Sequence, residues 1–166
     1  SLRPDFWLLG EVVHGDYRRW ANAAMLDSVT NYEAHKGLYS SLVDKNYFEI
    51  AYALKRQFGK GGIYSHLPLY NFADNHDVNR VASNLTISEH INLLYLLLFT
   101  MPGVPSIYYG SEWGIGGRRT AQDDSALRPC LDLQEMQRSA PWRDHSSRSP
   151  TTSAGWPPAL AAALAS

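Results

Sequence analysis

Two short segments bring together residue types able to do acid–base chemistry. One is Gly10-Glu11-Val12-Val13-His14-Gly15-Asp16, and the other is Phe72-Ala73-Asp74-Asn75-His76-Asp77. Each sets carboxylates and an imidazole directly after an apolar run. Two carboxyls converging on one glycosidic bond can cleave it. One protonates the leaving oxygen, and negative charge close by steadies an oxocarbenium-like transition state. The same residue types also hold metal ions. A two-metal phosphoesterase could use His14, Asp16, His76 and Asp77, but such a site needs several His and Asp ligands around ions about 3.5–4 Å apart. The chain has no Asp-x-His on its first apolar run and no late Gly-His-x-His. No metal ligand is therefore assigned.

The elements that must position these residues can be read from periodicity. Apolar runs at 6–13, 26–32, 69–73 and 104–110 read as strands, the first of them buried. Between them, 17–25 reads as a helix. Tyr47, Ile50, Ala51, Leu54 and Phe58 recur at helical spacing before Gly59, where a helix would stop. Thr86 and Glu89 form a capping-box pattern ahead of the apolar stretch 91–101, and Gly103 follows it. Alternation of strands with helices implies a parallel α/β sheet, because parallel neighbours need crossover connections. In α/β barrels the C-terminal strand ends carry the active site. Both reactive segments sit at such ends.

Composition excludes several classes. Of 166 residues, 45% are hydrophobic and 19% charged, which is a globular balance. Fifteen Lys+Arg against sixteen Asp+Glu leave no basic field for nucleic acid. The lone Cys130 permits no internal disulfide. The stretch 91–101 is about half the length a bilayer span needs, so no membrane segment is expected. The first residues do not read as a signal peptide. The chain reads as soluble, and the compartment is left open with the cytoplasm favoured. From about residue 139 the character changes to a polar Ser/Thr/Pro tract and then Ala and Leu. The expected organisation is one domain over 1–138 and a low-complexity, disordered tail over 139–166.

With these residues in view, the sequence resembles the α-amylase family, glycoside hydrolase family 13. Gly10-Glu11-Val12-Val13-His14 resembles that family's third signature, and Phe72-Ala73-Asp74-Asn75-His76-Asp77 its fourth. The segment 103–112 resembles the family's eighth strand, and 26–32, ending in Asn31-Tyr32, its sixth. Four segments in the right order are specific where any one would be weak. The resemblance implies a partial TIM (β/α)8 barrel, strands five to eight. It implies Glu11 as general acid/base and Asp77 as the carboxylate that grips sugar hydroxyls and stabilises positive charge. His76 would bond the sugar, Asn75 would orient its turn beside the substrate, and His14 and Arg80 would add substrate contacts from neighbouring positions. Tyr109 would line the cleft or pack.

The implied partner is an α-glucan oligosaccharide or polysaccharide. The implied activity is retaining hydrolysis or transglycosylation, and no cofactor is implied. Calcium, which many members bind through upstream loops, is left open. The family's nucleophile, an aspartate in a Gly-x-Arg-x-Asp pattern on strand four, is not found in these 166 residues. The chain by itself is therefore expected to be inactive. A non-catalytic relative used for binding is the rival reading, although such relatives usually lose one of the carboxylates that Glu11 and Asp77 represent.

Overall fold

The computed structural model describes residues 5–139. The expected disordered tail lies outside the described residues, apart from Ser139. The chain divides into two compact units, Ser1–Leu127 and Arg128–Ser166.

The first unit is built on four short strands, β1 (Leu9–Gly10), β2 (Ser28–Val29), β3 (Tyr70–Phe72) and β4 (Val104–Ser106). β1 pairs with β2 and β3 with β4, both in parallel. A parallel bridge from Thr30 to Tyr70 joins the two pairs. The strands therefore run side by side in chain order, as neighbouring staves of a parallel barrel do. Helices α1 (Tyr32–Val43) and α2 (Tyr47–Phe58) connect β2 to β3, while α3 (Val81–Asn84) and α4 (His90–Thr100) connect β3 to β4. The apolar interior contains Val29 and Phe72 from the strands, Leu69 just before β3, Ala34, Leu38 and Leu42 from α1, and Leu94, Tyr95 and Leu98 from α4. In the second unit, α5 (Leu133–Ser139) is described; Asp132 caps it, its Oδ1 accepting from the Gln134 and Glu135 amides.

Three local expectations need correction. The run 6–13 is not a buried strand. It pairs only at Leu9 and Gly10, and Phe6, Trp7, Leu8 and Leu9 are exposed. A parallel strand is buried when elements cover both its faces and both its edges; among the described residues β1 pairs on one side alone. The segment 17–25 is not a helix beyond one 3-10 turn, Tyr17–Arg19. Asn22 diverts it: its Nδ2 donates to the Arg18 carbonyl and its Oδ1 accepts from the Ala24 amide. Such local side-chain bonds offer the backbone an alternative to the helix. The Thr86–Glu89 capping box does not form, because α4 starts at His90 with Glu89 already in the cap position. Ser88 bonds Glu89 instead.

Helix α1 was not foreseen. Its start is set by Asn31, whose Oδ1 accepts from the Ala34 amide, an N-cap of the favoured kind. Ala34, Leu38 and Leu42 then face the core at one-turn intervals. The two helices cross closely at Gly37: a Cβ there would lie 2.8 Å from the Ile50 Cα. Asn31 also anchors a buried amide network. Its Nδ2 donates to Gln57 Oε1 at 2.9 Å and to Asn71 Oδ1 at 2.8 Å, and Gln57 Nε2 returns a bond to Asn31 Oδ1. Asn71 Nδ2 extends the network to the Pro102 carbonyl. Asn31, Gln57 and Asn71 have no exposed surface. Buried amides are stable only when bonded in this way, and these bonds tie the end of β2 to α2, β3 and the approach to β4.

Candidate active site

Glu11 follows β1 by one residue, and Asp77 follows β3 by five. The two strands are separated by β2 alone, so both residues stand at the same end of the sheet. One donor atom from each of Glu11, His76 and Asp77 can be chosen so that all three lie within 4.8 Å of one another. Glu11 and His76 are exposed and Asp77 is half-buried. His76 Nε2 lies 3.4 Å from Asp77 Oδ2. The convergence expected from the sequence is thus present.

The turn that presents Asp77 is held by Asn75. Its Oδ1 accepts from the Asp77 amide at 2.8 Å and the Val78 amide at 3.1 Å. This is a local turn of the kind Asn favours. The Asn75 Nδ2 donates to the Tyr32 hydroxyl at 3.0 Å, and that hydroxyl donates to Glu11 Oε1 at 2.9 Å. Tyr32 heads α1, with its ring edge-on to Phe72 at 4.9 Å. Burial is the main reason its phenol is pushed up to about 12, and the bond to Glu11 adds to the effect. The group is therefore a hydroxyl donor at neutral pH. Sequence reading placed Tyr32 only as the close of a strand segment. The signal available was its position right after Asn31, at the C-terminal end of a strand.

Deeper in the β3 loop, Asp74 and Arg80 turn inward. Asp74 accepts from the Val81 amide and from Ser111 Oγ, each at 2.9 Å. Burial raises its pKa, against the hydrogen bonds that favour the carboxylate. Arg80 Nη1 donates to the Tyr109 carbonyl at 2.7 Å and to Ser111 Oγ at 3.2 Å. Its guanidinium carbon lies 4.1 Å from the centre of the Tyr108 ring. Arg80 has no exposed surface, so the expectation that it touches substrate is corrected. Its charge is spent on holding the segment after β4, with Ser111 placed between it and Asp74. Tyr109 is exposed, with its carbonyl in the grip of Arg80.

His14 lies apart from the cluster. It lines a cleft of about 760 Å3 together with Asp16, Tyr32, Glu33, His35 and Arg56. Tyr32 belongs to this wall as well as to the cluster, while Glu11, His76 and Asp77 are not among the lining residues. The charges here are largely paired. Arg18 bonds Asp16 through both carboxylate oxygens, and Arg56 bonds Glu33. The Arg18 side chain is the leading cause that lowers Asp16 to about 2. His35 stacks on Phe72 at 4.8 Å, and burial lowers its pKa, favouring the neutral ring. The described residues hold no helix long and apolar enough to cross a membrane.

Parallel strands joined by helices, with acidic side chains converging at their C-terminal ends, define part of an enzyme barrel of the TIM type. The comparison with known proteins is more specific: the catalytic-domain model of the α-amylase family matches residues 1–162, and the chain belongs to that family of glycosidases. A cyclomaltodextrinase from a Bacillus species is 30% identical over 144 residues, covering 82% of this chain and 24% of the relative. A 4-alpha-glucanotransferase from Thermotoga neapolitana is 28% identical over 149 residues, covering 83% and 30% respectively. Among solved structures, a maltogenic amylase from S. marinus superposes with a TM-score of 0.62 at 30% identity, covering 81% of this chain and 19% of that one. The chain thus spans roughly a quarter of the length of the curated relatives it matches.

Proposed function

We propose that this chain forms strands five to eight, over residues 1–138, of the catalytic barrel of a retaining enzyme acting on α-linked glucans. The observation that carries the proposal is the convergence of Glu11 and Asp77, from β1 and β3, with His76 between them in sequence terms at the same strand end. Names of relatives that include both a cyclomaltodextrinase and a glucanotransferase support a glucan substrate, with water or a sugar hydroxyl as acceptor.

In this reading Glu11 gives its proton to the glycosidic oxygen as the bond to the anomeric carbon breaks, and the electron pair leaves with that oxygen. A second carboxylate attacks the anomeric carbon to form a glycosyl ester. In a retaining enzyme it stands about 5–5.5 Å from the acid; the family's strand-four aspartate fits that part. Water or a sugar hydroxyl then attacks the anomeric carbon and gives its proton to Glu11 as the ester bond breaks, the electron pair of that bond returning to the carboxylate. Asp77 supplies negative charge beside the oxocarbenium-like centre, and His76 a hydrogen bond to the sugar. The cleft lined by His14 and Tyr32 gives the remainder of the glucan somewhere to lie, with His14 as a contact. A two-metal phosphoesterase is less well supported: the one group of three possible ligands among the described residues is too few for that chemistry.

The test is an assay of the full-length protein containing this chain on maltodextrin. Glu11→Gln is expected to lower turnover by about 100- to 10,000-fold, the range associated with general acid–base catalysis. Undiminished turnover would refute the assignment. The 166-residue chain by itself is expected to turn over nothing.

A further inference from the structure

We propose that Tyr32 is a positioning residue for general acid catalysis, its phenol deciding which oxygen of Glu11 delivers the proton. The proposal rests on the reading of Glu11 as the acid. It starts from proton counting. The Asn75 amide nitrogen can only donate, and it donates to the Tyr32 oxygen. The single phenol proton is therefore free for Glu11 Oε1, 2.9 Å away. Because the phenol remains protonated far above neutrality, this bond persists whether Glu11 carries a proton or not. The oxygen that accepts the phenol proton acts as the carbonyl-like one, and the acid proton of Glu11 belongs on Oε2. In the first step Oε2–H is the bond that breaks, and the leaving oxygen takes the proton. In the second step water returns a proton to Oε2.

Packing does not require the hydroxyl. The Tyr32 ring is seated by the edge contact with Phe72 and a second edge contact with His35, and phenylalanine would keep both. Nor is Asn75 a passive neighbour. Its Oδ1 fixes the turn that carries Asp77 while its Nδ2 fixes Tyr32. One amide thereby sets the placement of both carboxylates, across two strands. Hydrogen bonds in series polarise one another, so the arrangement is stiffer than any single contact in it.

Leaving-group chemistry separates positioning from mere support. Cleavage of a maltooligosaccharide expels a poor leaving group that needs the acid, whereas α-maltosyl fluoride expels fluoride with little need of one. In the full-length protein, Tyr32→Phe is expected to lower kcat on maltooligosaccharide about 10- to 100-fold, the scale of a small misplacement of a reacting group. KM on the maltooligosaccharide should change little, and kcat/KM on the fluoride, which reports only the steps up to loss of fluoride and not the base-assisted second step, should be nearly unchanged. Equal losses on the two substrates would mark Tyr32 as structural and overturn the proposal, as would no loss on either. Glu11→Gln serves as the reference and should show the split most strongly. If it keeps full activity on maltooligosaccharide, the reading of Glu11 as the acid fails, which is a different failure from that of Tyr32.

Discussion

The end of β1 and the end of β3 each carry acidic residues, and they are built in opposite ways. At β3 the chain turns back into the protein. Asp74 and Arg80 are buried and share Ser111, and Asn75 Oδ1 accepts from the Asp77 and Val78 amides. At β1 the apolar residues Phe6 to Leu9 are exposed, and the Glu11 carboxyl is steadied from outside its own strand, by Tyr32 of α1. The residues that look most reactive by charge alone, Asp74 and Arg80, serve as scaffold. Those proposed to do chemistry, Glu11, His76 and Asp77, keep contact with solvent. A charged group taken from water must be paired or bonded to be tolerated; Asp74 is bonded by Val81 and Ser111, and Arg80 is held through Nη1 and the Tyr108 ring while its Nε and Nη2 have no hydrogen-bond partner among the described residues. A group that meets substrate must keep an open side.

Substitutions can break this contrast. The largest expected effect is at the open end: Asp77→Asn in the full-length protein should lower kcat/KM on maltodextrin by about 100- to 1,000-fold, as removal of charge stabilisation does, while a thermal melt stays close to that of the parent. A loss of stability of the same order would mean that Asp77 is scaffold, like Asp74. Next in size, Asn31→Ala removes the α1 cap and three buried amide bonds. The cost should be roughly 2–4 kcal/mol in denaturant titrations, and a loss below about 0.5 kcal/mol would show that the network is not a support.

The smallest effect concerns pH. Folding raises the Asp74 pKa above its ordinary value of 3.8, with burial the chief cause. The folded chain therefore binds this proton more tightly than the unfolded chain. Stability from this group is full at low pH and falls as pH rises from about 3.8 through the folded value. Asp74→Asn should remove that fall, so the difference in Tm between variant and parent should move in favour of the variant toward neutral pH. A difference independent of pH would refute the burial argument.

Much of this was legible in the chain, and the failures have physical causes. Helix α2 and its end at Gly59 follow from periodicity, and the gathering of Glu11, His76 and Asp77 follows from their places after two strands. The segment 17–25 misled because Asn22 satisfies backbone groups that a helix would otherwise use. Helix α1 was missed because its cap, Asn31, stands directly after β2 and its bridge to β3, so it read as the close of a strand. Arg80 misled because residue type says nothing of direction: on the far side of the Asn75 turn, its side chain points into the protein.

By itself the sequence determined the alternation of later strands and helices, the family, and the two carboxylates that the family resemblance marks for acid–base chemistry, since these depend on period and on local order along the chain. Only the tertiary structure decided that Tyr32 joins Asn75 to Glu11, that Asp74 and Arg80 are interior supports, and that His14 lines a cleft whose wall includes Tyr32. Those facts depend on which side chains meet across strands that are distant in sequence, and the pattern within one segment carries no record of its partners in another.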